Sequence, residues 1–310
     1  MKDLSVVVPV KNEAENLETL HRELSQVLGK LGKSYEVLFV DDGSTDGSLG
    51  VMQKIQKKDS HIQIIKLRKN FGQTAAMDAG FKYADGQVII AMDADLQNDP
   101  KDIPKLLAKM KEGYDCVSGW RKNRQDSASK SLASLFAHLM RQLLIKEEIH
   151  DSGCTLKAYK KECFKDMNLY GEMHRYIPAI LKLKGFKIGE IVVNHRPRTR
   201  GQTKYGSVRL VKGFFDLLFI KFWNDYSARP IHFFGSLGLA QYVLAGLIFI
   251  EQVIKALYLV GSLELGPLLV LAVLLIITGS LTIIFGFLAE IMIREYYKDR
   301  VPYSVEAVYK

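Results

Sequence analysis

The sequence predicts an α/β domain built on a mostly parallel sheet with helices on both faces, followed by two membrane-spanning helices. Three observations carry that prediction. Short β-rich apolar runs alternate with helix-period segments through residues 1–206, the pattern of a parallel sheet covered on both sides. Polar clusters close the runs, where ligands of such sheets bind. Residues 230–293 are then almost uncharged.

The first run, Leu4–Val10, is nearly all apolar, as a strand buried on both faces should be. No cleavable leader is expected ahead of it. A helix is expected near Glu15–Leu31, then a strand over Tyr35–Asp41 and a helix near Ser48–Lys58. Asp46 in "STDGS" reads as the cap of that helix. Strands follow at Ile62–Leu67 and Gln87–Met92, with a helix near Thr74–Tyr83 between them. A helix near Ile103–Lys111 and strands at Cys116–Gly119 and Lys187–Val193 complete the domain. The clusters at the strand ends are "PVKNE" (9–13), "DDGSTDGS" (41–48), "RKNFG" (68–72) and "DADLQ" (93–97).

"MDADLQNDP" at 92–100 is the most informative of these stretches. Unpaired buried carboxylates are costly, and two close together repel. Side chains alternate along a strand, so Asp93 and Asp95 can face one way with Ala94 turned inward. Asp93, Asp95 and the amide oxygen of Gln97 make a set of hard oxygen donors suited to Mg²⁺ or Mn²⁺. Neither ion would sit in a closed protein cage, so a bound diphosphate would complete the shell.

The C-terminal third reads as two spans, about 230–254 and 266–293, each longer than the roughly 20 apolar residues a spanning helix needs. Glu251 and Glu290 stand four residues before Lys255 and Arg294, spaced for pairing on one helix face. Seven bases flank the outer ends: Lys212, Lys221, Arg229, Arg294, Lys298, Arg300 and Lys310. Only Lys255 lies at the connection. That asymmetry predicts both termini, and the large N-terminal domain, on the cytoplasmic side. Residues 207–229 repeat apolar positions at helical spacing and read as an amphipathic juxtamembrane helix or as a helix packed on the catalytic domain.

The net charge of +9 could suit nucleic acid, a membrane surface or phosphorylated substrates. No nucleic-acid-binding signature is present, so nucleic acid is not an expected partner. Neither GxGxxG nor GxxxxGKS occurs, which disfavours dinucleotide redox chemistry and P-loop hydrolysis. Cys116, Cys154 and Cys163 have neither metal-ligand nor disulfide spacing and fit a reducing compartment.

Taken together, "VVVPVKNE", "VDDGSTDGS", "NFGQTAAMDAG" and "MDADLQNDP" resemble glycosyltransferase family 2, with its GT-A fold. "DSGCTLKAY", "HRYIP" and "RTRGQTKYG", followed by two spans, extend the likeness to polyprenyl-phosphate glycosyltransferases such as undecaprenyl-phosphate glucosyltransferases and dolichol-phosphate mannose synthases. The resemblance implies a cytoplasmic catalytic domain at 1–206 and an inner-membrane enzyme, either alone or as a homo-oligomer. It would move a hexose by inversion from a nucleotide-sugar, UDP-glucose first and GDP-mannose as the alternative, to a polyprenyl phosphate. It places the metal at Asp93, Asp95 and Gln97, and the nucleotide-sugar at Pro9, Asn12, Glu13, Asp41, Asp93, Asp95 and Arg121. Catalysis falls to Asp151, Asp95 and Arg121. The acceptor phosphate falls to Arg198, Lys204, Arg175 and Lys130. Asp151 matches the family's base position, in a role mixing orientation, proton acceptance and stabilisation of charge at the anomeric centre. His174 and His195 read as structural. Outside this class, a lipid-linked-sugar transporter or a non-catalytic scaffold remains open. A processive polysaccharide synthase would add a "QxxRW" motif and more spans, and the chain has neither.

Overall fold

A computed structural model of the 310-residue chain describes residues 2–122, 149–165, 167, 169, 171, 173–197, 221–222, 225–226, 229–260 and 266–296. Lys130, Arg198 and Lys204 lie outside these residues, as does most of 207–229. The chain divides into two compact units, Met1–Leu218 and Phe219–Lys310.

The first unit is a sheet of seven strands: β1 (Leu4–Val10), β2 (Tyr35–Asp41), β3 (Ile62–Lys66), β4 (Val88–Ala91), β5 (Cys116–Trp120), β6 (Lys157–Lys160) and β7 (Ile188–Val192). Their order is β3-β2-β1-β4-β6-β5-β7. All neighbours run parallel except β6, which is antiparallel to both β4 and β5. The helices are α1 (Ala14–Gly29), α2 (Ser48–Gln56), α3 (Gln73–Tyr83), α4 (Ile103–Met110) and α5 (Ile177–Leu183). β6 and α5 are absent from the sequence expectation; the other elements fall within a few residues of it.

Alternation along β1 shows how the layers form. Val6, Val8 and Val10 join Leu17, Leu20, Leu24, Met52 and Leu106 in one core, under α1, α2 and α4. Val7 turns the other way and meets Leu38, Val40, Met77, Phe81, Ile177 and Leu181, under α3 and α5. A strand covered on both faces has no polar alternation, hence the continuous apolar runs. The carboxyl ends of β1, β2 and β4 reach one edge together, because Val10 pairs with Asp41 and Val7 with Ala91. The cap position of α2 is Gly47 rather than the expected Asp46, which stands one residue earlier and ties the starts of two helices together. One oxygen accepts from the Ser48 N–H at 3.0 Å, and the other accepts from the Ala14 N–H that opens α1, also at 3.0 Å.

The second unit holds α6 (Pro230–Lys255), a π-helical turn (Ala256–Val260) and α7 (Pro267–Tyr296). Both helices are long and apolar enough to cross a membrane. They form an antiparallel hairpin whose close approach depends on glycine. A Cβ on Gly238 would lie 2.8 Å from the Gly279 carbonyl oxygen, and Tyr242 Oη lies 2.7 Å from Ser280 Oγ. Small residues packed this way let helix backbones meet in lipid. Leu247, Phe249, Ile277 and Phe285 stay about half exposed, unlike residues of a soluble core. Glu251 and Lys255 pair at 2.5 Å, as their spacing predicts. Phe222, Tyr226, Phe233 and Phe234 cluster near the start of α6.

Candidate active site

The carboxylate turn follows β4. Asp95 is buried and Asp93 partly so. Asp93 Oδ1 accepts from Gln73 Nε2 at 2.8 Å, and its Oδ2 accepts from Thr155 Oγ1 at 2.6 Å. Burial pushes the Asp93 carboxyl up to about 6, and the neighbouring Asp95 adds to the rise. Asp95 Oδ1 accepts the Gln97 N–H at 3.2 Å across Leu96, whose φ is 62°. A leucine in the left-handed region is strained, and such strain collects at functional turns. Carboxylate and amide oxygens are the donor types that hard cations take. Among the described residues no three His, Cys, Asp or Glu side chains group so as to hold a metal ion.

A second cluster joins β5 to the turn before β6. Arg121 grips Asp151 with a fork: Nε donates to Oδ2 at 2.7 Å and Nη2 to Oδ1 at 2.9 Å, with the Arg121 backbone N–H on Oδ2 at 3.2 Å. Burial alone would raise the Asp151 pKa, but the Arg121 guanidinium outweighs it and holds the carboxyl below the usual carboxylate range. Of its three expected roles, proton acceptance is the one this environment disfavours. Glu190 on β7 supports the turn from behind, accepting the His150 N–H at 3.0 Å and the Asp151 N–H at 3.1 Å. The His150 ring stacks on Trp120 at 4.2 Å.

The rim beside β1 and β2 is tightly built. Asp41 is buried; its Oδ1 accepts the Ser44 N–H at 2.9 Å, while its buried Oδ2 has no hydrogen-bond partner among the described residues. Asp42 accepts the Phe71 and Gly72 N–H groups at 2.7 and 3.0 Å, drawing the "RKNFG" loop against β2. Gly43 makes that approach feasible: its φ is 66°, and a Cβ would lie 2.8 Å from Asn70 N. Lys11 Nζ donates to the Asp42 and Gly43 carbonyls. Asn12 Oδ1 accepts the Thr45 N–H at 2.8 Å, and Glu13 Oε2 accepts from Asn16 Nδ2 at 2.7 Å. Both residues thus help shape the rim. Pro9 lies on β1 opposite Val40.

His174 is buried beside Thr74, with Nδ1 2.6 Å from Thr74 Oγ1, which also donates to the Gly171 carbonyl at 2.6 Å. Burial, reinforced by Arg175, pushes its imidazole down to about 3. It is neutral and structural, as expected. Arg175 is partly buried in the adjoining turn. After β7 the chain returns to the carboxylate turn. The Arg196 N–H donates to the Gln97 carbonyl at 2.9 Å, and Arg196 Nη2 pairs with Asp99 at 2.7 Å. Gln73, Thr155, Lys157 and Glu190 were not singled out from sequence. The first three lie inside motifs that were quoted, in "NFGQTAAMDAG" and "DSGCTLKAY".

The model of "Glycosyl transferase family 2" matches residues 5–167, which include both acidic clusters. The chain belongs to glycosyltransferase family 2. Among its family 2 relatives, the dodecaprenyl-phosphate galacturonate synthase of Rhizobium johnstonii is 39% identical, over 96% of this chain and 89% of that protein. The undecaprenyl-phosphate 4-deoxy-4-formamido-L-arabinose transferase of Salmonella paratyphi B is 36% identical, over 99% of this chain and 94% of that protein. The fold is GT-A. Mannosyl-3-phosphoglycerate synthase from Rubrobacter xylanophilus superposes with a TM-score of 0.56 at 18% identity, covering 71% of this chain and 74% of that one. Glucosyl-3-phosphoglycerate synthase from Mycobacterium tuberculosis, solved with Mn²⁺, UDP and its product, gives 0.55 at 16% identity, over 71% of this chain and 80% of that one.

Proposed function

We propose that this family 2 enzyme transfers a sugar, with inversion, from a UDP-sugar to undecaprenyl phosphate in the inner membrane, with both termini cytoplasmic. The observation that carries the reading is the short segment Asp151–Lys157. It meets the Arg121 fork through Asp151 and the carboxylate turn through the Thr155–Asp93 hydrogen bond. A metal-ligating turn and a phosphate-type arginine are thereby tied to one another. The acceptor class is supported by the two relatives, whose names state polyprenyl phosphates and whose matches run nearly the whole chain.

Asp93, Asp95 and Gln97 fit Mg²⁺ or Mn²⁺, which when bound would neutralise charge on the departing nucleoside diphosphate. Asp41 takes the base. Its Oδ1 is committed to the Ser44 N–H, and among the described residues no group donates to its Oδ2, which leaves that oxygen for a ligand N–H. One free oxygen suits the single N–H of uracil better than the adjacent donor pair of guanine. Arg121 orients Asp151 and adds positive charge beside the phosphates. Asp151 stabilises charge at the anomeric centre. The nucleophile is the acceptor phosphate, whose second pKa of about 6 leaves it largely dianionic at neutral pH, so little general-base help is needed. Arg198, Lys204, Arg175 and Lys130 hold that phosphate. For the first two, support comes from the junction at Arg196, whose backbone is bonded to Gln97 just before the basic stretch. UDP-glucose is the first donor to test. The sugars in the relatives' names are alternatives at the same site.

Calorimetric titration with UDP and GDP, each with Mn²⁺, tests the base assignment. UDP should bind at least about tenfold tighter than GDP, and Asp41→Asn should weaken UDP about tenfold, the worth of one charge-assisted hydrogen bond. GDP binding as tight as UDP, or Asp41→Asn without effect, overturns it.

A further inference from the structure

Lys157 is a charged side chain that the reaction above does not use. It lies on β6, 2% exposed, opposite Ala91 of β4 and Ser118 of β5. No carboxylate forms an ion pair with it among the described residues. Its Nζ instead donates to two carbonyls, those of Ser152 at 3.1 Å and of Cys154. These carbonyls bracket Gly153 at the centre of the turn that carries Asp151. Ser118, its register partner on β5, has a buried hydroxyl without a partner among the described residues.

A buried ammonium is expensive to keep, and an apolar side chain of similar length would fill the same space more cheaply. What the charge does here is local. It draws the carbonyls of 152 and 154 inward, toward β6. The turn between them is already constrained, since a Cβ on Gly153 would lie 3.2 Å from Arg121 Nη2 and 3.5 Å from Asp151 Oδ1. With the carbonyls fixed from below, Asp151 and Thr155 stand on either side of the staple. One meets the Arg121 fork and the other meets Asp93.

We propose that Lys157 is a positioning residue for sugar transfer, stapling the Ser152–Cys154 turn so that Asp151 and Thr155 hold Arg121 and Asp93 in register. This rests on the functional reading above for its kinetic consequence, but not for its structural one. Burial lowers the lysine's pKa, and Cys154 and Asp151 oppose that fall.

The test compares Lys157→Met with Lys157→Arg in the full-length, detergent-solubilised protein. Hydrogen exchange of the Arg121 Nε–H is read by nuclear magnetic resonance, the signal being assigned by its absence in Arg121→Lys. kcat and KM for the nucleotide-sugar are measured beside it. In folded Lys157→Met, the Nε–H should exchange at least about tenfold faster, and kcat should fall about tenfold with KM within about threefold, the scale of one charge-assisted contact. Lys157→Arg, which can still donate to both carbonyls, should recover most of both losses. Wild-type protection of the Nε–H in Lys157→Met, or Lys157→Arg no better than Lys157→Met, overturns the proposal. Should Lys157→Met not fold, Lys157→Gln replaces it; if both unfold, the residue is structural and the proposal falls. If the wild-type chain transfers no sugar from any donor, the functional reading fails, and the exchange measurement still judges the staple.

Discussion

Replacing Arg121 with methionine removes the fork and leaves the Asp151 carboxylate, among the described residues, with the backbone N–H of residue 121 as its one donor. The two side chains are 12% and 15% exposed, so the pair is largely shielded from water. Breaking a buried pair by deleting one partner costs about 3–5 kcal/mol, and partial exposure places this case near about 3 kcal/mol. For a unit of this size the fall in Tm is about 6–12 °C. The pH dependence has a definite sign. In the wild type the folded-state pKa of Asp151 lies below its ordinary value, so the fork's stabilisation is present above about pH 4 and is lost as pH falls through the folded-state pKa. In Arg121→Met burial acts unopposed by the guanidinium and favours the neutral acid. The gap between variant and wild type should therefore be widest at neutral pH and narrow below about pH 4. Arg121→Met with Asp151→Asn should lose less than the sum of the single losses. Thermal unfolding followed by tryptophan fluorescence is a suitable assay, since Trp120 adjoins the fork and Trp223 is the only other tryptophan. A Tm change under about 2 °C at pH 7, or a gap that does not vary with pH, would refute the reasoning.

Two further predictions concern stability and topology. Asp59 accepts from the rings of both His21 and His61; burial would raise its pKa, but these donors bring it to about 2. Asp59→Asn should therefore cost about 2 kcal/mol above pH 4 in chemical unfolding, the difference vanishing as pH falls toward 2; equal loss at both extremes would contradict it. With both termini cytoplasmic, a cysteine at Ser262 should react with an impermeant thiol reagent in intact cells, and labelling only after lysis would reverse the topology.

Much of the fold was legible because both sheet faces are covered. That produces unbroken apolar strands, separated by helices with one apolar stripe. β6 escaped because "KAYK" is four residues long and carries a lysine at each end, which by composition reads as surface. The buried Lys157 amine meets two carbonyls of the turn just before β6, a contact no periodicity encodes. Asp93 and Asp95 drew attention because like charges six backbone bonds apart require an explanation. The Arg121–Asp151 fork was half legible. Both residues were picked, but thirty positions separate them, and only the neighbouring β5 and β6 bring them together. Leu96 in the left-handed region could not be foreseen, since leucine is a poor residue for that conformation and the surrounding contacts impose it.

Product analysis tests the central claim most directly. Purified protein is incubated with undecaprenyl phosphate and, in turn, UDP-glucose, a UDP-linked uronate, a UDP-linked formamido-arabinose and GDP-mannose, and the lipid product is identified by mass. The account predicts one sugar joined to undecaprenyl phosphate from a UDP donor, lost in EDTA, restored by Mg²⁺ or Mn²⁺, and abolished in Asp95→Ala. Transfer at full rate in EDTA, transfer from GDP-mannose alone, or no glycosylated lipid from any donor would contradict it.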